Sequence, residues 1–273
     1  MTDLFKQYKV TITAALEASE AIMKIYAGDF ERIEKEDGSP VTIADLSASS
    51  IIRKHLLPTG IPITGEEAEK HPFSVRKSWK HLWCVDPLDG TKEFIKKNGE
   101  FVVNIALIEN SKPVFGLIAS PINKEIILGN EKSGAFQTSF ENALEPRKWE
   151  PLKYLSSTNS PIQLISSRSH YSGNLQKLVD EIEVEYGPVE RTAMGSALKF
   201  FELVNNRADV YPRFAPTMEW DIAAGQAIYE AIGGKVINVN TGKPLVYNKE
   251  NLKNPHFIAS NSLLNISLDS FQQ

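Results

Sequence analysis

The chain has a single cysteine in 273 residues, Cys84, so no disulfide can form within it. That residue sits in the apolar run Leu82-Trp83-Cys84-Val85 and reads as a small buried hydrophobe rather than a nucleophile, which fits a reducing compartment. Histidine is scarce as well. The five at positions 55, 71, 81, 170 and 256 show neither HxxxH nor HExxH spacing, so a zinc site is not expected. No stretch approaches the roughly 18 apolar residues of a membrane-spanning helix, and the opening MTDLFKQYKV lacks an apolar signal core. A soluble, cytoplasmic protein is expected, with peripheral attachment to the inner face of a membrane left open. A net charge of only −4 gives no general attraction to nucleic acid or to an anionic bilayer. An anionic ligand therefore has to be held by local lysines, backbone N–H groups or metals.

With 42% hydrophobic and 9% aromatic residues the chain can build a full core. Its length suits one large domain or two smaller units sharing a cleft. Leu4, Tyr8, Ile12, Ala15, Ala18, Ile22 and Ile25 recur at helical spacing, so residues 3–27 read as a long amphipathic helix closed by Gly28. The charged stretch from Glu31 to Gly38 reads as a flap. SPVTIADLSAS is a helix start, with Ser39 or Thr42 as N-cap, Pro40 near the first turn and Asp45 in the first or second turn. Residues 61–64 form a short strand leading into Gly65-Glu66-Glu67. Residues 101–109, 113–119, 124–130 and 134–137 read as four antiparallel strands. Residues 141–153, polar and proline-bearing, read as a linker between units at 1–140 and 154–273. In the second unit, helices centred on Leu175–Ile182 and Ser196–Val204 alternate with strands at 163–165 and 210–214. Asp221 opens a helix that Gly233-Gly234 ends. Thr241-Gly242 signals a hairpin between strands at 235–239 and 245–247. The fold class is thus mixed, an α+β layer followed by an α/β layer.

The chemistry concentrates at Trp83 to Phe94, WCVDPLDGTKEF. A strand buried on both faces ends at Asp86, and Asp89, Gly90 and Thr91 follow within one turn. Two carboxylates in one turn repel unless a cation lies between them, and a divalent metal is the simplest answer. Gly90 lets the backbone approach a ligand, with the N–H groups of residues 89–91 free to meet a phosphate. Asp-Pro and Asp-Gly are also ordinary turn dipeptides, Asp45 alone could serve its helix dipole, and Asp221 alone could be an N-cap.

Together with Gly65-Glu66-Glu67 and Trp220-Asp221, these residues resemble the inositol monophosphatase superfamily of lithium-sensitive, magnesium-dependent phosphatases. DGTKEF after DPL resembles its 3'(2'),5'-bisphosphate nucleotidases of the CysQ type, where inositol monophosphatases typically carry DGTTNF. The resemblance implies a layered α-β-α-β-α sandwich. It also implies that Glu66, Asp86 and the Leu88 carbonyl hold one Mg2+, while Asp86, Asp89 and Asp221 hold a second. A third near Asp45 and Glu66 is left open. Thr91, linked to Asp45 or Glu66, is implied to orient and deprotonate the attacking water. The N–H groups around Gly90 and Thr91 are implied to grip the phosphate. GSALKFFELVNNRADVYPRF follows the same pattern, implying Ser196 and Lys199 as contacts one helical turn apart, with Lys199 on the phosphate that is not cleaved. Arg213 and the loop Ser166–His170 are candidates for nucleotide contacts. In WDIAAG, small Ala223, Ala224 and Gly225 let the helix press on the phosphate site. The implied substrate is a nucleoside bisphosphate, and inositol mono- or bisphosphate is the alternative. A monomer and a homodimer fit equally.

Overall fold

The computed structural model describes residues 1–29, 32–34, 40–168 and 173–271. Of the expected flap at 31–38, Arg32–Glu34 form a strand and the rest lies outside the described residues, as do Ser39 and, in the Ser166–His170 loop, Ser169 and His170. Helix α1 (Thr2–Tyr26) buries Leu4, Tyr8, Ile12, Ala15, Ala18 and Ile22 along one stripe. It closes at Ala27 in ordinary right-handed conformation (φ −71°), so Gly28 is not the cap. An antiparallel ribbon of β1 (Arg32–Glu34) and β2 (Pro40–Thr42) then leads into α2 (Ile43–Leu56). Thr42 is the N-cap, taking the Ala44 N–H, while Asp45 takes the Thr42 N–H in return. Pro40 therefore belongs to β2 rather than to the helix's first turn.

The first sheet has the order β3 (Ile63–Gly65), β4 (His81–Asp89), β5 (Val102–Glu109), β6 (Lys112–Ser120), β7 (Glu125–Asn130), β8 (Gly134–Ser139) and β9 (Glu150–Pro151). Only β3 runs parallel to its neighbour. Short helices α3 (Phe73–Arg76) and α4 (Thr91–Ile95) flank β4. Residues 141–153, expected as a linker, instead finish this sheet. They supply β9, and the buried Trp149 bonds Ala143 O at 3.1 Å and packs on Phe5 and Phe136.

The second sheet is built from β10 (Ile162–Ser166), β11 (Val189–Ala193), β12 (Val210–Arg213), β13 (Gly234–Asn238) and β14 (Phe257–Asn261), in the order β11-β10-β12-β14-β13. Its helices are α5 (Gly173–Tyr186), α6 (Lys199–Val204) and α7 (Glu219–Glu230). The turn at Thr241-Gly242 forms, with Gly242 N–H on Asn238 O. The return segment 245–247 is not a strand, however. It folds back on β13 through a single antiparallel bridge, Ile237 to Pro244, with the Leu245 N–H on Val236 O. The longer ladder of β13 is with β14, and the Tyr247 N–H reaches Ser111 O in the β5–β6 turn.

Three apolar clusters define five layers. Helices α1 and α2 cover the outer face of the first sheet, α6 and α7 lie between the sheets, and α5 covers the outer face of the second. The small residues of α7 serve this central layer. A Cβ on Gly116 of β6 would lie 2.1 Å from Ala224 O, and one on Gly225 would meet the Phe200 ring at 2.1 Å. Ala224 and Gly225, expected with Ala223 to let the helix press on the phosphate site, instead press on β6 and on Phe200. Among the described residues no helix is long and apolar enough to cross a membrane.

Candidate active site

Three chain segments bring carboxylates to one end of the central layer. The first is the end of β3. A Cβ on Gly65 would fall 1.9 Å from Val85 O, so only glycine lets β3 approach β4 this closely. Glu66, which follows, is tied back by its N–H to Val85 O at 3.3 Å. The second is β4, whose register against β5 shifts between Asp86 and Asp89. That irregularity turns the chain sharply enough for the Leu88 N–H to reach Asp86 Oδ1 at 3.0 Å. Gly90 is left-handed (φ +101°), and a Cβ there would strike Glu100 O at 2.6 Å. The third is the first turn of α7, where Asp221 Oδ2 accepts the Met218 N–H at 2.9 Å.

Glu66, Asp86 and Asp221 each offer an oxygen within 4.8 Å of the others. Asp89 stands outside that group, with its Oδ2 accepting the Ala197 N–H at 2.6 Å and the Asn104 amide at 3.2 Å. Burial, then the repulsion of neighbouring carboxylates, pushes Asp86 and Asp221 well above the usual carboxylate range. Burial also raises Asp89 to about 6, against the opposing charge of Lys199 and the Ala197 N–H. Converging carboxylate oxygens that resist ionisation together fit a hard divalent cation, and the all-oxygen donor set suits Mg2+ rather than zinc.

Thr91 sits beside this group. Its hydroxyl donates to Asp45 Oδ1 at 2.9 Å, with Leu88 O at 3.3 Å. Of the two partners expected for Thr91, the structure selects Asp45. Burial raises the Asp45 carboxyl, and its bonds from Thr42 and Thr91 oppose that rise. Asp45 thus keeps one oxygen for its helix and the other for Thr91.

The acids open onto a cavity of about 440 Å³. Gly90 and Thr91 line it at the start of α4, where the first N–H groups have no intrahelical partner. Lys92, Arg168, Lys199 and Arg213 make its wall cationic. Ser196 has φ +48° and precedes α6, so Ser196 and Lys199 are not one helical turn apart as expected. The Ser196 hydroxyl accepts the Leu198 N–H at 3.2 Å, and the buried Lys199 ammonium donates to Met194 O and Ser196 O. Burial, together with the like charge of Arg213, lowers Lys199 to about 8. Arg213 itself bonds Ala215 O and Pro216 O. Sequence reasoning missed Asn104, the Ala197 N–H, and Glu100, which ties the rim by accepting Arg168 and the Gly195 N–H. Each depends on pairings 15 to 108 positions apart that no local pattern signals.

Residues 3–267 match the model of the inositol monophosphatase family. The 3'(2'),5'-bisphosphate nucleotidase CysQ of Salmonella typhimurium is 40% identical over 249 residues, covering 89% of this chain and 95% of that protein. Its namesake from Escherichia coli strain K12 is 38% identical over 252 residues, with 90% and 96% covered. Among solved structures, CysQ from Bacteroides thetaiotaomicron, described as a bacterial member of the inositol monophosphatase family, superposes with a TM-score of 0.82 at 41% identity. The match covers 94% of this chain and 97% of that one.

Proposed function

The chain belongs to the inositol monophosphatase family, and we propose that it is a Mg2+-dependent phosphatase that removes the 3'-phosphate of adenosine 3',5'-bisphosphate. The products are AMP and inorganic phosphate. The observation that carries this reading is the group Glu66, Asp86 and Asp221 opening onto a cavity with a cationic far wall. The name carried by the relatives supplies the substrate class.

Glu66, Asp86 and Asp221, with Asp89 and the Leu88 carbonyl, would hold two Mg2+ ions. When bound, Mg2+ supplies charge neutralisation for the phosphate dianion and Lewis acidity for attack by water. The remaining work belongs to the chain. Thr91 donates its proton to Asp45 and so keeps its lone pairs for a water, which donates to Thr91 Oγ1 and is thereby aimed at phosphorus. As the water loses its proton to Thr91, Thr91 passes its own to Asp45, whose raised affinity for a proton favours acceptance. The N–H groups of Gly90 and Thr91 bind the phosphate undergoing attack. The 5'-phosphate meets Lys199 and Arg213, two cations near enough to repel, whose repulsion an intervening anion relieves. The sulfated precursor, which carries the same 3'-phosphate, is a second substrate.

Phosphate release from adenosine 3',5'-bisphosphate, its 5'-phosphosulfate analogue, adenosine 3'-monophosphate and inositol 1-phosphate tests the proposal, run with Mg2+, with chelator and with Li+. Turnover of the two bisphosphorylated adenosines in Mg2+, lost in chelator and inhibited by Li+, is expected. Preference for inositol 1-phosphate would move the assignment to the inositol branch.

A further inference from the structure

Lys70 lies on the loop that follows Glu66, exposed to solvent and outside the lining of the cavity. Its ammonium donates to Gly65 O and to Glu66 O, each at 2.7 Å. The same ammonium lies 4.7 Å from the centroid of the Trp220 ring, a cation–π distance, and Trp220 is the residue before Asp221. Lys70 therefore touches two of the three segments that carry an acid into the group, the end of β3 and the start of α7.

The rest of this loop is fastened to the same region. Arg76, almost fully buried, donates to His71 O, to Asn248 Oδ1 at 2.7 Å and to Lys249 O. Asn248 and Lys249 in turn give their backbone N–H groups to Glu219, which has no solvent exposure and precedes Trp220. Residues 65–76, 248–250 and 219–221 thus close a circuit, and Lys70 is its exposed link. A backbone bond of Glu66 itself is longer, its N–H to Val85 O at 3.3 Å. The peptide planes on either side of Glu66 set where its side chain points, and Lys70 grips the carbonyls of both.

We propose that Lys70 is a positioning residue that fixes Glu66 relative to Asp221 and thereby sets the affinity of the acid group for a divalent cation. It acts by bracing the two segments against each other, not by touching the cation. This inference rests on the metal reading above. Contacts that orient ligands from outside are typically worth about 10–100-fold in affinity, and an exposed lysine falls at the low end of that range.

The test is calorimetric titration of Mg2+ into the metal-free full-length protein, compared with Lys70→Met and Lys70→Arg. The expected result is a Kd about tenfold weaker in Lys70→Met, largely restored in Lys70→Arg. The melting temperature in chelator should be unchanged, as should kcat at saturating Mg2+. Equal Kd in parent and Lys70→Met would overturn the inference alone. So would a melting temperature that falls along with affinity, since Lys70 would then be an ordinary structural contact. No Mg2+ binding by the parent would overturn the metal reading and this inference with it.

Discussion

Thr91 Oγ1 donates to Asp45 Oδ1 at 2.9 Å, joining the helix start after β4 to a helix cap 46 positions earlier. The same carboxylate caps α2 through Thr42, so the proposed proton acceptor is held by the helix it caps. Thr91→Val keeps the shape of the side chain and removes the hydroxyl. Its kcat on adenosine 3',5'-bisphosphate should fall about 10²-fold or more with little change in KM, the usual scale for a positioned acid–base group. Asp45→Asn should fall similarly, and the double variant should lose little more than either single one. A KM effect with kcat unchanged would make Thr91 a binding residue.

The acid group is costly without a cation. Asp86 and Asp221 are raised by burial and mutual repulsion, so the folded chain holds their protons more tightly than the unfolded chain does. Their contribution is fully favourable below the unfolded carboxyl value of about 3.9, and it is lost as pH rises through the higher folded values. In chelator, Asp86→Asn should therefore melt higher than the parent at pH 8, and the gap should narrow toward pH 5. The same variant should lose turnover. Thermal melts across pH in chelator check this, and a lower melting temperature for Asp86→Asn at pH 8 would contradict it.

Glu230, at the far end of α7 from Asp221, offers a test of the same physics outside the site. Burial pushes its carboxyl up to about 7, against the 2.9 Å bond from Gln226. Its stabilising share is present below about 4.3 and lost as pH rises through 7. Glu230→Gln should gain stability relative to the parent between pH 5 and 8, on the order of 1–3 kcal/mol at pH 8. Urea midpoints measure it, and kcat should not move.

Lys199 is buried against the Met194 and Ser196 carbonyls, yet it faces the cavity beside Arg213. A charged hydrogen bond to phosphate is worth about 1.5–3 kcal/mol, or roughly 10–100-fold. Lys199→Ala should cut kcat/KM for adenosine 3',5'-bisphosphate by about that factor and leave adenosine 3'-monophosphate nearly unchanged. Equal losses on both substrates would assign Lys199 to the 194–196 turn alone.

The acids were legible because each carries its own local context. Asp86 ends an apolar run, Glu66 follows a glycine at a strand end, and Asp221 opens a helix. Six strands of the first sheet, β3 to β8, were legible from their apolar runs, and those from β5 to β8 are marked off by tight turns. The parts that escaped depend on partners far along the chain. Asn104 reaches Asp89 through the pairing of β4 with β5, and the Ala197 N–H comes from 108 positions away. β11 is a largely exposed strand, Val189–Ala193, with no apolar alternation to reveal it. The Thr241-Gly242 turn does fold its return segment onto β13 at Ile237 and Pro244, but the longer ladder of β13, with Phe257–Asn261, had no local signal. Ser196 looked like a helix opener, but its left-handed backbone delays α6 to Lys199.

The central claim is attack by water on the 3'-phosphorus, and 31P NMR of the products formed in 18O-labelled water with Mg2+ tests it most directly. Starting from adenosine 3',5'-bisphosphate, the account predicts adenosine 5'-monophosphate without label and inorganic phosphate carrying one 18O. Adenosine 3'-monophosphate as product, or 18O retained in the nucleotide, would contradict it.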